Sequence, residues 1–177
     1  VVDDGWNNYR DEKYNPNISS SQSGEGMNRT GFWEFNSKFP NELYTSTELT
    51  NKFQSKFGIW LGPQGGYNYF SGFAKYMEES GTAYAQNDYW TNICVGSDKY
   101  VKNLTSMFID NQKRFDVDYW KIDGFAVRPC TNQKHDHMTG GTNNMYYTTD
   151  LWEKWTDAWE EMRASRAEEG KGLFINA

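Results

Sequence analysis

Basic runs are missing from this chain. Its 18 Lys and Arg are outnumbered by 24 Asp and Glu, a formal net charge of −6, and the cations nowhere cluster. A nucleic-acid backbone is normally met by a basic patch, so no nucleic-acid partner is expected. Long apolar runs are missing too. The longest fall far short of the roughly 20 residues that cross a bilayer, and no membrane partner is expected either. Cysteine is scarce: Cys94 and Cys130 are all there is. Two thiols make no disulfide scaffold, and they leave redox compartment and localisation open. No G-x-G-x-x-G follows an apolar segment and no G-x-x-x-x-G-K-[ST] occurs. A nucleotide-binding sheet therefore lacks its signature.

What abounds is aromatic surface, with 8 Trp, 12 Tyr and 11 Phe. A flat apolar face with a polar handle suits stacking on hydroxyl-rich ligands such as sugars, but it fills a large core equally well. Composition alone favours the core. The 177 residues suffice for one core and are short for two ordinary domains.

Four short apolar segments recur, each running into a polar, Gly-rich stretch: Val1-Val2, Phe57 to Gly62, Val117 to Asp123, and Leu173 to Ala177. Helical patterns lie between them. Leu43, Leu49, Phe53 and Phe57 fall on one helical stripe. Tyr100, Val101, Leu104, Met107 and Phe108 form a second, with Ser97 as N-cap. Leu151, Trp152, Trp155, Trp159 and Met162 form a third, opened by an Asp150/Glu153 cap and stopped by Gly170; its tryptophans read as core rather than sugar platform. Strand, long loop, helix and strand again is the signature of parallel βαβ units, whose strands are apolar throughout. The stretches after the strands are long and polar (Asn7 to Pro40, Pro63 to Gly96, Gly124 to Thr149), while the returns from helix to strand are short. Elaborated loops at the C-terminal strand ends favour a (β/α)8 barrel over a doubly wound sheet. A whole barrel has eight strands in about 250 residues. Residues 1–177 are thus expected to be half of a barrel, one partial catalytic domain truncated at both ends, since the chain begins and ends inside apparent strands.

The strand ends carry the chemistry. In "DVDYWKIDGF", Lys121 and Asp123 are two apart and share a strand face with Tyr119. Burying an ammonium beside a carboxylate is costly. Taken alone, the pair reads first as a solvated ion pair at a strand end. Alongside it, the first segment ends in Asp3-Asp4-Gly5-Trp6 and the second in Trp60. Carboxylates, a lysine and tryptophans on one rim match glycoside cleavage, which needs an ionised carboxylate, a carboxylic acid and acceptors for sugar hydroxyls.

"VVDDGW", "FGIWLGP" and "DYWKIDG" resemble, in order and spacing, the second, third and fourth barrel strands of melibiase-type α-galactosidases, glycoside hydrolase clan D, most like family thirty-six. The resemblance implies a retaining hydrolase of terminal α-linked galactose or N-acetylgalactosamine, acting on an oligosaccharide or glycoconjugate without a cofactor. It implies Asp123 as nucleophile and Asp3, Asp4, Trp60 and Lys121 as substrate contacts, with strands two to five present; Asn176, at the end of the last apparent strand, joins the same rim as a further substrate contact. A transglycosidase of the raffinose-synthase kind and a non-catalytic carbohydrate-binding barrel share these motifs. Where the family shows Glu-Pro-Glu after its tryptophan, this chain reads Leu61-Gly62-Pro63-Gln64, and Gly124-Phe125-Ala126-Val127 stands in place of Met-Asn-Arg. The family's acid/base aspartate follows a sixth strand, beyond Ala177. "CTNQKHDH" gathers Cys130, His135, Asp136 and His137. An H-x-H can bind zinc, but the implied chemistry needs no metal and none is assigned. Sequons at Asn17, Asn28 and Asn103 matter only in a secretory host.

Overall fold

A computed structural model of the chain describes residues 1–7, 33–35, 38–64, 73–79, 81–85, 93–124, 130–139 and 145–177. Asn17, Asn28 and the 125–128 segment lie outside the described residues. In chain order the elements are α1 (Tyr44–Lys52), β1 (Gly58–Leu61), α2 (Phe73–Glu79), α3 (Asp98–Arg114), β2 (Tyr119–Ile122), α4 (Met145–Glu168) and β3 (Phe174–Asn176).

The three strands form one parallel sheet in the order β1-β2-β3. Val1-Val2, expected as a strand, contributes a single parallel bridge from Val2 to Ile59. Val2 N–H donates to the Gly58 carbonyl and Trp60 N–H to the Val2 carbonyl, both at 2.8 Å. Space therefore follows sequence across the sheet, from Val2 through β1 and β2 to β3. One register row reads Ile59, Trp120, Ile175, and the next reads Trp60, Lys121, Asn176. The first row turns toward the helices: Trp120 is fully buried and meets Phe108 of α3 edge-on at 4.6 Å. The second row lies on the opposite face with Gly58, Tyr119 and Phe174. Phe174 is 66% exposed there.

The helix α3 forms as its pattern predicts. Tyr100, Val101, Leu104, Met107 and Phe108 are buried, and Ser97 Oγ accepts the Tyr100 N–H at 3.3 Å. In α4 the buried stripe is Leu151, Trp155, Ala158 and Met162. Trp155 is anchored by donation to the Val95 carbonyl at 2.9 Å, and Gln112 of α3 donates to the Met162 carbonyl at 2.8 Å. Trp152 departs from the expected stripe, lying 42% exposed, because a core face recurring at three and four residues from Leu151 passes it by. The helix starts five residues before the expected cap, so Asp150 sits inside it and pairs with Lys154 one turn on, at 2.9 Å. Gly170 does stop it. At φ +70° its N–H bonds the Ala167 carbonyl and the Lys171 N–H bonds that of Arg166, a Schellman closure.

The first helix overturns its stripe. Leu43 is buried, but Leu49 and Phe53 are 55% and 68% exposed. With only nine residues, and Gln54 at φ +53° just beyond it, α1 ends before Phe53 and Phe57 can join one face. It docks instead through Tyr44, edge-on to Phe115 at 5.0 Å, and through Thr47, which donates to the Phe115 carbonyl. Phe57 reaches the core from the run into β1.

Gly58 marks the tightest approach within the sheet. A Cβ there would lie 2.7 Å from Tyr119 Cδ1 and 3.0 Å from both Tyr119 Cβ and its carbonyl oxygen. Glycine in a strand interior often marks such a contact. Gly58→Ala should therefore cost about 1–3 kcal/mol, as overpacking does. Thermal unfolding of the variant checks this, and an unchanged melting curve would show that Tyr119 gives way freely.

Candidate active site

All three strand ends, together with the residues after Val2, lie at one edge of the sheet. Because Val2 pairs with Ile59, Asp3 falls in the row of Trp60, Lys121 and Asn176. That row crosses the sheet on the face turned away from the helices. Directly beyond it stands Asp123, whose N–H continues the ladder to the Leu61 carbonyl at 3.0 Å. Gly124 follows at φ +70° and Gly5 follows Asp4 at φ +110°. Each chain thus turns off the strand immediately after its carboxylate, in a conformation that glycine adopts freely.

Asp123 is held at both oxygens. Trp60 Nε1–H donates to Oδ2 at 3.3 Å and the Gly124 N–H to Oδ1 at 2.7 Å. Trp60 is itself fixed: it is 1% exposed, and its carbonyl accepts Trp6 Nε1–H at 2.8 Å. Trp6 packs with Trp33 and Phe35 at 6.3 and 5.2 Å. Sequence reasoning gave Trp6 no role. Its place in "DDGW" was the signal available.

The cation of Lys121 corrects one expectation. Its ion pair is with Asp3, Nζ to Oδ2 at 3.6 Å, rather than with Asp123. The strand stops at Ile122, Asp123 is drawn to the Trp60 indole, and the long lysine side chain reaches across to the first segment. The pair is open to solvent, at 36% and 66% side-chain exposure. The penalty for burying charges does not apply, and such a bridge contributes only about 0–1 kcal/mol. Asp3 Oδ1 also accepts the Asp4 N–H at 2.8 Å. Asn176 Nδ2 donates to the Tyr119 hydroxyl at 3.4 Å, and Tyr119 stacks on Phe174 at 5.5 Å. The geometry thus joins Asp3, Trp60, Lys121 and Asp123 directly or through one neighbour. Asn176 stands at the far end of the row, and Asp4 lies one residue past Asp3.

On the same side of the sheet, where the connections leave β1 and β2, a second group of chemically able side chains converges. Cys94, Cys130, His135 and His137 bring their ligand atoms within 4.8 Å of one another. Asp136, grouped with three of these by sequence, instead accepts the Lys99 N–H at the start of α3 at 3.0 Å.

No family model matches the chain, and no curated protein sequence matches it. Solved structures do. A GH36 alpha-galactosidase from Geobacillus stearothermophilus, in complex with 1-deoxygalactonojirimycin, aligns with 98% of this chain at TM-score 0.59 and 14% identity. The alpha-galactosidase from Lactobacillus brevis aligns with 99% at TM-score 0.52 and 15% identity. In both, the chain spans 22% of the solved protein's length. At such identities the likeness is one of fold, an α/β arrangement shared with a section of those proteins.

Proposed function

We propose that this chain is the part of a (β/α)8 barrel bearing strands two to five, in a retaining glycoside hydrolase that removes terminal α-linked galactose or N-acetylgalactosamine. The observation that carries the reading is Asp123, held at both oxygens by Trp60 and Gly124 at a C-terminal strand end. Catalytic groups of barrel enzymes come from that end. The monotonic parallel order, with α3 packed on one sheet face, fits a singly wound barrel and not a sheet whose order reverses at a switch point.

In the proposed reaction a carboxylate oxygen of Asp123 forms a bond to the anomeric carbon as the bond to the leaving oxygen breaks. A carboxylic acid elsewhere in the protein protonates that oxygen. Water, deprotonated by the same group, then attacks the anomeric carbon and releases the sugar and the Asp123 carboxylate. Asp3, Asp4, Lys121 and Asn176 supply acceptors and donors for sugar hydroxyls, and Trp60 positions the nucleophile.

The test uses the full-length protein. It should hydrolyse an aryl α-galactoside, or the N-acetylgalactosaminide, and a fluorinated α-galactosyl fluoride should label the peptide containing Lys121 to Arg128. Absence of turnover on both sugars would favour a non-catalytic binding barrel. A label on any other carboxylate would remove Asp123 from the role.

A further inference from the structure

We propose that Cys94, Cys130, His135 and His137 form a tetrahedral zinc site that ties together the connections leaving β1 and β2. The four residues come from two places: Cys94 just ahead of the Ser97 cap of α3, and a C-x4-H-x-H run after β2. Their ligand atoms already lie close to the geometry that zinc imposes. Zn–S near 2.3 Å and Zn–N near 2.0–2.1 Å set ligand–ligand edges of about 3.3–3.8 Å in a tetrahedron. Cys94 Sγ is 3.1 Å from His137 Nε2, Cys130 Sγ is 3.3 Å from His135 Nδ1, and no pair exceeds 4.8 Å. Two thiolates with two imidazoles make a soft, borderline donor set that suits zinc and not calcium or magnesium.

The surroundings fit a site more than a chance cluster of small core residues. Cys94, Cys130 and His135 are buried and His137 is half-buried. The Nδ1 of His137 lies 2.7 Å from the Met138 carbonyl. A proton on Nδ1 satisfies that contact and leaves the Nε2 lone pair facing Cys94, the backbone support that metal-bound histidines usually have. The His135 ring stacks on Tyr84 at 4.5 Å, and Tyr147 of α4 meets His137 edge-on at 5.4 Å. Both imidazoles are thus oriented before any ion arrives. With four protein ligands the coordination shell is closed, so the ion holds structure and has no open position for catalysis. What it would hold is the pair of connections on the active side of the sheet, where Trp155 and Lys154 of α4 also bond the Val95 and Gly96 carbonyls.

This inference stands apart from the glycosidase reading and is tested without any sugar. Full-length protein, purified without chelators and under reducing conditions, should retain about one zinc per chain, with X-ray absorption showing two sulfur neighbours near 2.3 Å and two nitrogens near 2.0–2.1 Å. Cobalt exchanged into the site should give thiolate-to-cobalt charge-transfer absorption and the intense d–d bands of a tetrahedral ion. Cys94→Ser and Cys130→Ser should each lose the zinc, whereas Asp136→Asn should keep it. If the serine variants do not fold, the wild-type absorption and cobalt spectra decide alone. Zinc-free protein that takes up no cobalt, a coordination shell without sulfur, zinc retained in the serine variants, or a Cys94–Cys130 disulfide in peptide maps would each overturn the site.

Discussion

With Asp123 as the proposed nucleophile, Asp123→Ala in the full-length protein should lower kcat on an aryl α-galactoside on the order of 10³-fold or more, a barrier increase of about 4 kcal/mol or more. The reason is covalent. Without a carboxylate at the anomeric carbon the two-step route is closed, and positioning and acid catalysis alone remain. Asp4→Asn should behave differently. If Asp4 accepts a sugar hydroxyl, its loss removes one charged hydrogen bond, about 1.5–3 kcal/mol, and lowers kcat/KM about 10- to 100-fold. The alanine leaves room where Asp123 stood, so added azide should partly restore turnover of an activated substrate and yield a sugar azide of inverted configuration. Trp60→Phe supplies a control for positioning. It keeps the ring but deletes the donor to Asp123 Oδ2, so turnover should fall by less than in Asp123→Ala, with no azide rescue. Near wild-type turnover of Asp123→Ala would refute the nucleophile.

How much of this was legible in the sequence depends on how local the cause was. The helix α3 could be read because cap, stripe and stop all lie within its own residues, from Ser97 to Phe115. The last helix was read late because Met145 to Thr149 carry no start signal stronger than Asp150, and the burial that continues the helix backward, at Tyr147, comes from the 130–139 segment. The stripe through Leu49 and Phe53 failed for the opposite reason: Leu49 lies six residues from the buried Leu43, on the far side of the helix, and stays exposed although α1 contains it, while Phe53 and Phe57 come after its end. In the site, strand period put Lys121 on the face of Tyr119, but alternation fixes only the face, and the row of Trp60, Lys121 and Asn176 comes from the register that the sheet adopts. The partner of Lys121 could not be read that way. It depends on where the strand stops and on a neighbour 118 positions away (121 − 3). Cys94 was equally hidden, 36 positions before Cys130 (130 − 94), so the run offered Asp136 as the fourth member where the fold brings in Cys94.

At the opposite end of the sheet, Arg166→Met is expected to destabilise the protein by about 3 kcal/mol, toward the lower limit for removing one member of a buried ion pair. Arg166 is fully buried, and its guanidinium holds three carboxylates: Asp116 at 2.9 Å, Asp118 at 3.4 Å and Glu169 at 2.7 Å. Asp118 matters most for the fold. Its carboxylate also accepts the Phe57 N–H and pairs with Lys56, while its carbonyl accepts the Phe174 N–H, so it links the entries to β1, β2 and β3. Methionine keeps the stem's apolar packing but leaves Asp118 short of its buried cation. Lys171 and Lys56 remain to serve Asp116 and Asp118, which holds the expected loss near the lower limit. Arg166→Lys should fall between the two, because one ammonium cannot reproduce a planar fork spread over three acceptors. The deficit should also depend on pH. The Lys171 ammonium, and after it Arg166, hold the Asp116 carboxyl below its ordinary range, against the opposing effect of burial. A group whose folded pKa lies below its unfolded one contributes stability above the unfolded value and loses it as pH falls through the folded one. The gap between wild type and Arg166→Met should therefore be widest near neutrality and narrow only as pH falls below the ordinary carboxylate range, where the folded Asp116 takes up its proton. Thermal unfolding across that range, joined to an Arg166→Met/Asp118→Asn double-mutant cycle, measures both effects, and a coupling within a few tenths of a kcal/mol of zero would mean that the guanidinium does not stabilise the strand entries through Asp118.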